Sequence, residues 1–234
     1  MKGRHAAGLG VLCALALAGA VSLQASDSPL VAIGFEAQAK RFVTGTVTTA
    51  SQLAAKTAGK PDTATSERVS ALLARRVETH ELARFVLGSY GRRASEAERT
   101  RFEKALPNYL ARLLAGELGA FANRTLTINE VVETGSGDGD VLVLSRIAGK
   151  GRLPLRVDWR VRPTKAGPKL VDVIVEGLSL AVAQRREFLD RLRRNGGKLD
   201  KLIARLEARP AHANAEKAFG AKTNHTLAGA TSAN

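Results

Sequence analysis

After Phe121 the spacing of apolar residues changes. Recurrence every three or four positions gives way to alternation, and near Leu180 the helical spacing returns. This double switch predicts an α+β domain, in which helices on either side of an antiparallel meander cover the apolar face of its sheet. Four strands are expected. Segments 124–134 and 139–148 flank the turn Gly135-Ser136-Gly137-Asp138. In the third, Leu153, Leu155, Val157, Trp159 and Val161 alternate with Arg156, Asp158, Arg160 and Arg162, which predicts one buried and one wet face. A turn at 164–168 leads to a fourth strand, 170–178, with Val171, Val173 and Val175 on one side.

The helical segments carry recognisable ends. Asp27-Ser28-Pro29 is a helix start, followed by Val31, Phe35, Ala39 and Phe42 at helical spacing. From Thr44 to Ser66 large residues give way to Thr, Ala, Gly and Lys, which predicts a loop. Further helices run through Val69, Leu72, Leu73 and Val77, and through Leu82, Phe85 and Val86 up to Gly88. Ser95 and Glu98 form a capping box. It opens a long helix with Phe102, Leu106, Tyr109, Leu110, Leu113 and Leu114 on one face, where Pro107 is expected to cause a kink or a local break. Helices at 180–194 and 199–206 close the domain.

The N-terminus has the export pattern. Lys2 and Arg4 precede an uncharged apolar run from Ala6 to Ala20, and small residues offer cleavage after Ala20 or Ala25. The run is shorter than the roughly 20 residues of a membrane span. Residues 1–25 are therefore expected to be a signal peptide, 26–208 a single domain, and 209–234 a disordered tail poor in large apolar side chains. The single cysteine, Cys13, lies inside the signal and away from either cleavage point, so neither lipidation, disulfides nor thiolate metal sites are expected.

Charge and chemistry narrow the function. Without Lys2 and Arg4, 34 basic residues stand against 22 acidic ones, spread in doublets rather than in an arm. Such a surface suits an anionic partner. Nucleic acid is not expected, because aromatic residues make up only 4% and Trp159 sits on the apolar strand face. His80-Glu81 lacks the second histidine of a metalloprotease helix, with Arg84 in its place, and is read as the first turn of a helix capped by Thr79. The run 135–140 is like a fragment of a calcium-binding repeat but has no downstream bidentate glutamate, so a hairpin turn is the expectation. Asp172 and Glu176 share a strand face at i and i+4. They are the one carboxylate pair an enzyme on this scaffold would use, but no nucleophile or metal ligand accompanies them and salt bridges to nearby arginines are the expectation. No metal site or cofactor is expected.

Three segments taken together are familiar. Residues 81–90 (ELARFVLGSY) with Ala94-Ser95-Glu96-Ala97-Glu98 and Phe102 resemble a helix pair of the MlaC family. Arg152-Leu153-Pro154-Leu155-Arg156-Val157-Asp158-Trp159 resembles its central strand, and 172–179 (DVIVEGLS) its strand-to-helix signature, leading into Arg186-Glu187-Phe188. The resemblance covers about residues 29–208. It implies a twisted four-stranded sheet wrapped by helices, an apolar pocket between them for acyl chains, and no catalytic residues. The family's partners would be a phospholipid, an outer-membrane lipoprotein complex and an inner-membrane ABC transporter, with the periplasm as compartment; one branch is associated with hopanoids. The residues expected to line the pocket are Val143, Leu155, Val157, Trp159, Val173 and Val175 on the sheet, with Leu87, Tyr90, Leu110 and Leu114 opposite. The same apolar residues would equally make a solid core. A diacyl lipid has roughly 30 methylenes worth about 0.8 kcal/mol each, so its tails must stay covered in transit.

Overall fold

Helix α1 (Pro29–Lys56) opens the computed structural model, which describes residues 29–56, 63–117, 124–149 and 152–208. The expected signal peptide and C-terminal tail lie outside these residues. The start at Pro29 is as expected, but the loop predicted from Thr44 is not there: the helix runs on to Lys56. Thr46 and Thr49 explain how a stretch so rich in threonine stays helical. Their hydroxyls donate to the carbonyls of Phe42 (2.7 Å) and Gly45 (2.8 Å), one turn back, instead of competing for other conformations.

Helices α2 (Thr63–Arg76), α3 (Thr79–Leu87), α4 (Ser89–Arg93) and α5 (Glu96–Glu117) follow. Gly88 separates α3 from α4 at φ 53° and ψ −126°, a conformation that only glycine adopts readily. Thr79 is the first helical residue rather than the cap; Glu78 holds the cap position with no side-chain bond. Helix α5 continues past Pro107 to Glu117.

At the start of α5 the capping box is present as expected. The Ser95 N–H and hydroxyl each donate to Glu98 Oε2 at 2.8 Å, and the Glu98 N–H donates to Ser95 Oγ at 3.2 Å. These donors, the backbone one foremost, hold the Glu98 carboxyl below its ordinary value of 4.5. A carboxyl lowered on folding stabilises fully above its unfolded pKa and loses that contribution as pH falls through the folded value. Glu98→Gln is therefore expected to lower the thermal midpoint at about pH 7 and to differ less from the parent as pH approaches about 3. A difference that does not shrink in acid would show that the box carries no charge-dependent stability.

The sheet is a meander of five strands in the order β1 (Arg124–Glu133), β2 (Val141–Gly149), β3 (Arg152–Arg162), β4 (Lys169–Val175) and β5 (Leu178–Ser179), all antiparallel. The fifth strand was not expected. The turn Glu176-Gly177, with φ of 48° and 79°, ends β4 early and folds two residues back onto Ile174 and Val175. Three irregularities shift the register: Asn129 in β1, Val171 in β4, and Leu153-Pro154 of β3, which stand against the single Ala148 of β2. Leu170 and Val173, not Val171, therefore pack with the sheet core. Helices α6 (Leu180–Arg194) and α7 (Leu199–Glu207) complete the chain, and α6 is capped by the Ser179 hydroxyl accepting from the Val182 N–H at 3.0 Å.

The apolar interior is divided. One cluster is purely helical and joins Ala83, Val86 and Leu87 to Phe102, Leu106, Tyr109, Phe188, Leu192 and the buried side of α7. A second sets Ala39, Phe42, Val43 and Val47 of α1 against Val141, Val143, Val161 and Leu170 of the sheet. A small third cluster (Ala54, Val69 and Ala111) ties the far end of α1 to α2 and α5. Helix α1 thus packs on the sheet with one half and on the helical layer with the other.

Candidate functional site

The strand register places four apolar rows on one face of the sheet, the one at its end being Val141, Val161 and Leu170. Val131, Val143, Trp159 and Val173 are aligned across β1 to β4; Ile128, Ser145, Val157 and Val175 form the next row; Leu126, Ile147 and Leu155 form the last. Ser145 is the one polar member. Its buried hydroxyl donates to the Val157 carbonyl and accepts from Trp159 Nε1–H at 2.9 Å. The indole N–H is thereby satisfied without water, and the ring is held on the apolar face. Sequence reasoning missed this residue, although a serine at the third inward position of an otherwise aliphatic strand was the available signal.

The ten expected pocket residues do not form a single group. Leu87, Val143 and Val157 are sealed within protein, at 2%, 0% and 1% exposure. Leu87 belongs to the helical cluster, against which Tyr90 and Leu110 pack, while Leu114 packs on the small third cluster. Val143, with Trp159 and Val173 packed beside it, belongs to the sheet cluster. Seven are only half-buried: Tyr90, Leu110, Leu114, Leu155, Trp159, Val173 and Val175. Tyr90 lies beneath the Arg93 guanidinium, 4.9 Å from its ring centre, and lines a polar concavity of about 690 Å³ with Glu98, Arg193, Lys198 and Asp200. Charged groups thus border the exposed part of its ring.

The opposite face is less wet than the alternation predicts. Asp140 and Asp158 are both buried there. Asp140 receives Arg160 Nε at 2.8 Å and Arg162 Nε at 2.6 Å, and Arg162 reaches Asp138 at 2.7 Å. Asp158 accepts from Arg156 Nε at 2.8 Å. The carboxylates of the 135–140 run are therefore engaged by arginines, and the run is a turn, closed by the Gly139 N–H donating to Ser136 O at 3.2 Å.

Asp172 and Glu176 do not face each other as a pair on β4. Glu176 lies in the turn beyond β4, not on its face, and accepts the Arg156 backbone N–H at 2.6 Å. Asp172 is fully occupied by Ser179 Oγ, the Val173 N–H and the Ala181 N–H, so it anchors the start of α6. His80 is exposed and its Nδ1 lies 2.9 Å from Glu103 Oε1 on α5. Among the described residues, no group of three or more His, Cys, Asp or Glu side chains is placed to hold a metal, and no helix is long and apolar enough to cross a membrane.

Comparison with known proteins is consistent with this architecture. The family model described as MlaC protein matches residues 41–208. A phospholipid-binding protein from Ralstonia solanacearum, solved with a phospholipid bound, superposes with a TM-score of 0.59. The match covers 74% of this chain and 94% of that chain at 22% identity, so it is a likeness of fold. No curated protein matches the sequence.

Proposed function

Because this chain belongs to the MlaC family, by a match extending from residue 41 to residue 208, we propose that it carries a lipid, holding the acyl chains between the sheet and the helical layer. The observation behind this reading is the divided interior. Leu110 and Leu114 on α5 and Leu155, Trp159, Val173 and Val175 on the sheet are half-buried, the condition of a wall rather than of a core centre. Leu110, Leu114, Trp159 and Val173 also attach to apolar clusters that share no residue. The phospholipid in the similarly folded Ralstonia protein supports a diacyl ligand.

No catalysis is needed in this scheme. The carrier is exported behind the signal peptide of residues 1–25, works in the periplasm, and shuttles lipid between an outer-membrane lipoprotein complex and an inner-membrane ABC transporter. A hopanoid is the alternative cargo, and solvent extraction distinguishes the two. Protein purified under mild conditions from its native compartment is expected to yield about one equivalent of lipid, identified by mass spectrometry. Lipid-free protein that also takes up none from vesicles would overturn the reading.

Trp159 makes the wall directly observable, since it is the chain's only tryptophan. Loading with a phospholipid brominated midway along an acyl chain is expected to quench most of its fluorescence. Unchanged emission in a protein shown to hold that lipid would remove the sheet face from the site.

A further inference from the structure

The start of β3 leaves apolar side chains outside the covered part of the sheet. Its inward residues run Trp159, Val157 and Leu155; beyond them, at the register shift between β2 and β3, Leu153 stands 73% exposed. Leu153 and the exposed Pro154 sit where β3 leaves the β2–β3 hairpin, opposite the exposed Ala148. The other face of this hairpin carries Arg146 and Arg156, directly opposite one another in the register. Like charges so placed repel. Arg156 is held by Asp158, yet its side chain remains 53% exposed; Arg146 is exposed and makes no hydrogen bond or ion pair among the described residues. An aliphatic residue at a hairpin end with two arginines one turn of the pleat behind it matches the depth profile of an anionic bilayer, apolar below and phosphate above.

We propose that this hairpin end, through Leu153, Arg146 and Arg156, is a contact site for an anionic membrane surface; resting on the carrier reading above, it is also the end at which acyl chains enter and leave along the Leu153–Leu155 edge. One leucine and two arginines give a weak and reversible attachment, which suits a protein that must depart with its cargo. An acidic protein partner would use the arginines but has no need of Leu153.

The test is sedimentation of the purified protein with vesicles of phosphatidylglycerol or of phosphatidylcholine. The parent is expected to bind the anionic vesicles and to be released by salt. Arg146→Ser should weaken binding about fivefold, the worth of one basic residue at such a surface, and Leu153→Asp about tenfold. Both positions are exposed, so circular dichroism should show both variants folded. Arg92→Ser, on the helical layer, should bind like the parent. The proposal is overturned if the parent ignores anionic vesicles, which leaves an acidic protein as the partner. It is also overturned if Leu153→Asp binds undiminished, or if Arg92→Ser loses as much as Arg146→Ser. Lipid extraction scores the carrier reading separately: hairpin-dependent binding by a protein that holds no lipid would refute carriage and keep the contact.

Discussion

Replacing Phe188 by alanine is expected to lower the unfolding free energy by about 4 kcal/mol, the ordinary cost of emptying a sealed aromatic site. Phe188 is wholly buried, and its ring meets Phe102 edge-on, with centroids 5.6 Å apart and planes at 82°. Tyr109 lies on another side at the same separation, tilted by 50°. The cavity would open between α5 and α6, where burial already pushes the Tyr109 phenol above its ordinary value. Denaturant titration followed by circular dichroism measures the loss; a change below about 1 kcal/mol would mean that the helical layer is not packed around this ring. Trp159 fluorescence supplies a second probe, located in the sheet. Coincident transitions would show the two layers melting as one unit.

Asp140→Asn is expected to cost about 2 kcal/mol at neutral pH. Its carboxylate is sealed from water and is shared by two guanidiniums, one from each of Arg160 and Arg162. The amide restores neither charge nor the second acceptor oxygen, so two cations are left facing each other across one donor-acceptor group. The hydrogen bond that Arg162 donates to Asp140, partly offset by burial, is also what raises the Arg162 pKa. Removing one side of a buried ion pair costs about 3–5 kcal/mol; the lower figure is used because Arg160 and Arg162 keep partial access to water. Asp138→Asn provides the control. Asp138 is largely exposed and pairs with Arg162 alone, so its loss should stay within about 0.5 kcal/mol. Equal effects from the two substitutions would refute the distinction.

The strands and most helices were legible because their signals are local. Alternation located β1 to β4 to within a few residues, and Ser95 with Glu98 marked the start of α5. What was misread depends on geometry at longer range. The Thr-rich half of α1 looks like a loop until its hydroxyls are seen to bond back along the helix and Ala54 to find α2 and α5. The bulge at Val171 moves its side chain out of line by a single residue, and nothing in a run of valines announces it. Asp172 and Glu176 were placed on one strand face only because the strand was read past Val175. For the candidate site the limit was chemical: wall and core demand the same side chains, so Leu87 and Leu110 could not be told apart until one was found sealed and the other half-buried.

The make-up of the helical cluster fixes the order in which the molecule can be finished. Its residues come from 83–109 and from 188–206, with the whole sheet between them in sequence, and Arg101 reaches forward to Glu207 at 2.9 Å. A growing chain that has completed α5 and every strand still lacks half of this core. Closing it requires bringing together segments separated by about eighty residues, a slow, non-local step. Until Leu206 has been synthesised, the protein has no sealed helical layer and remains a chain that can be threaded.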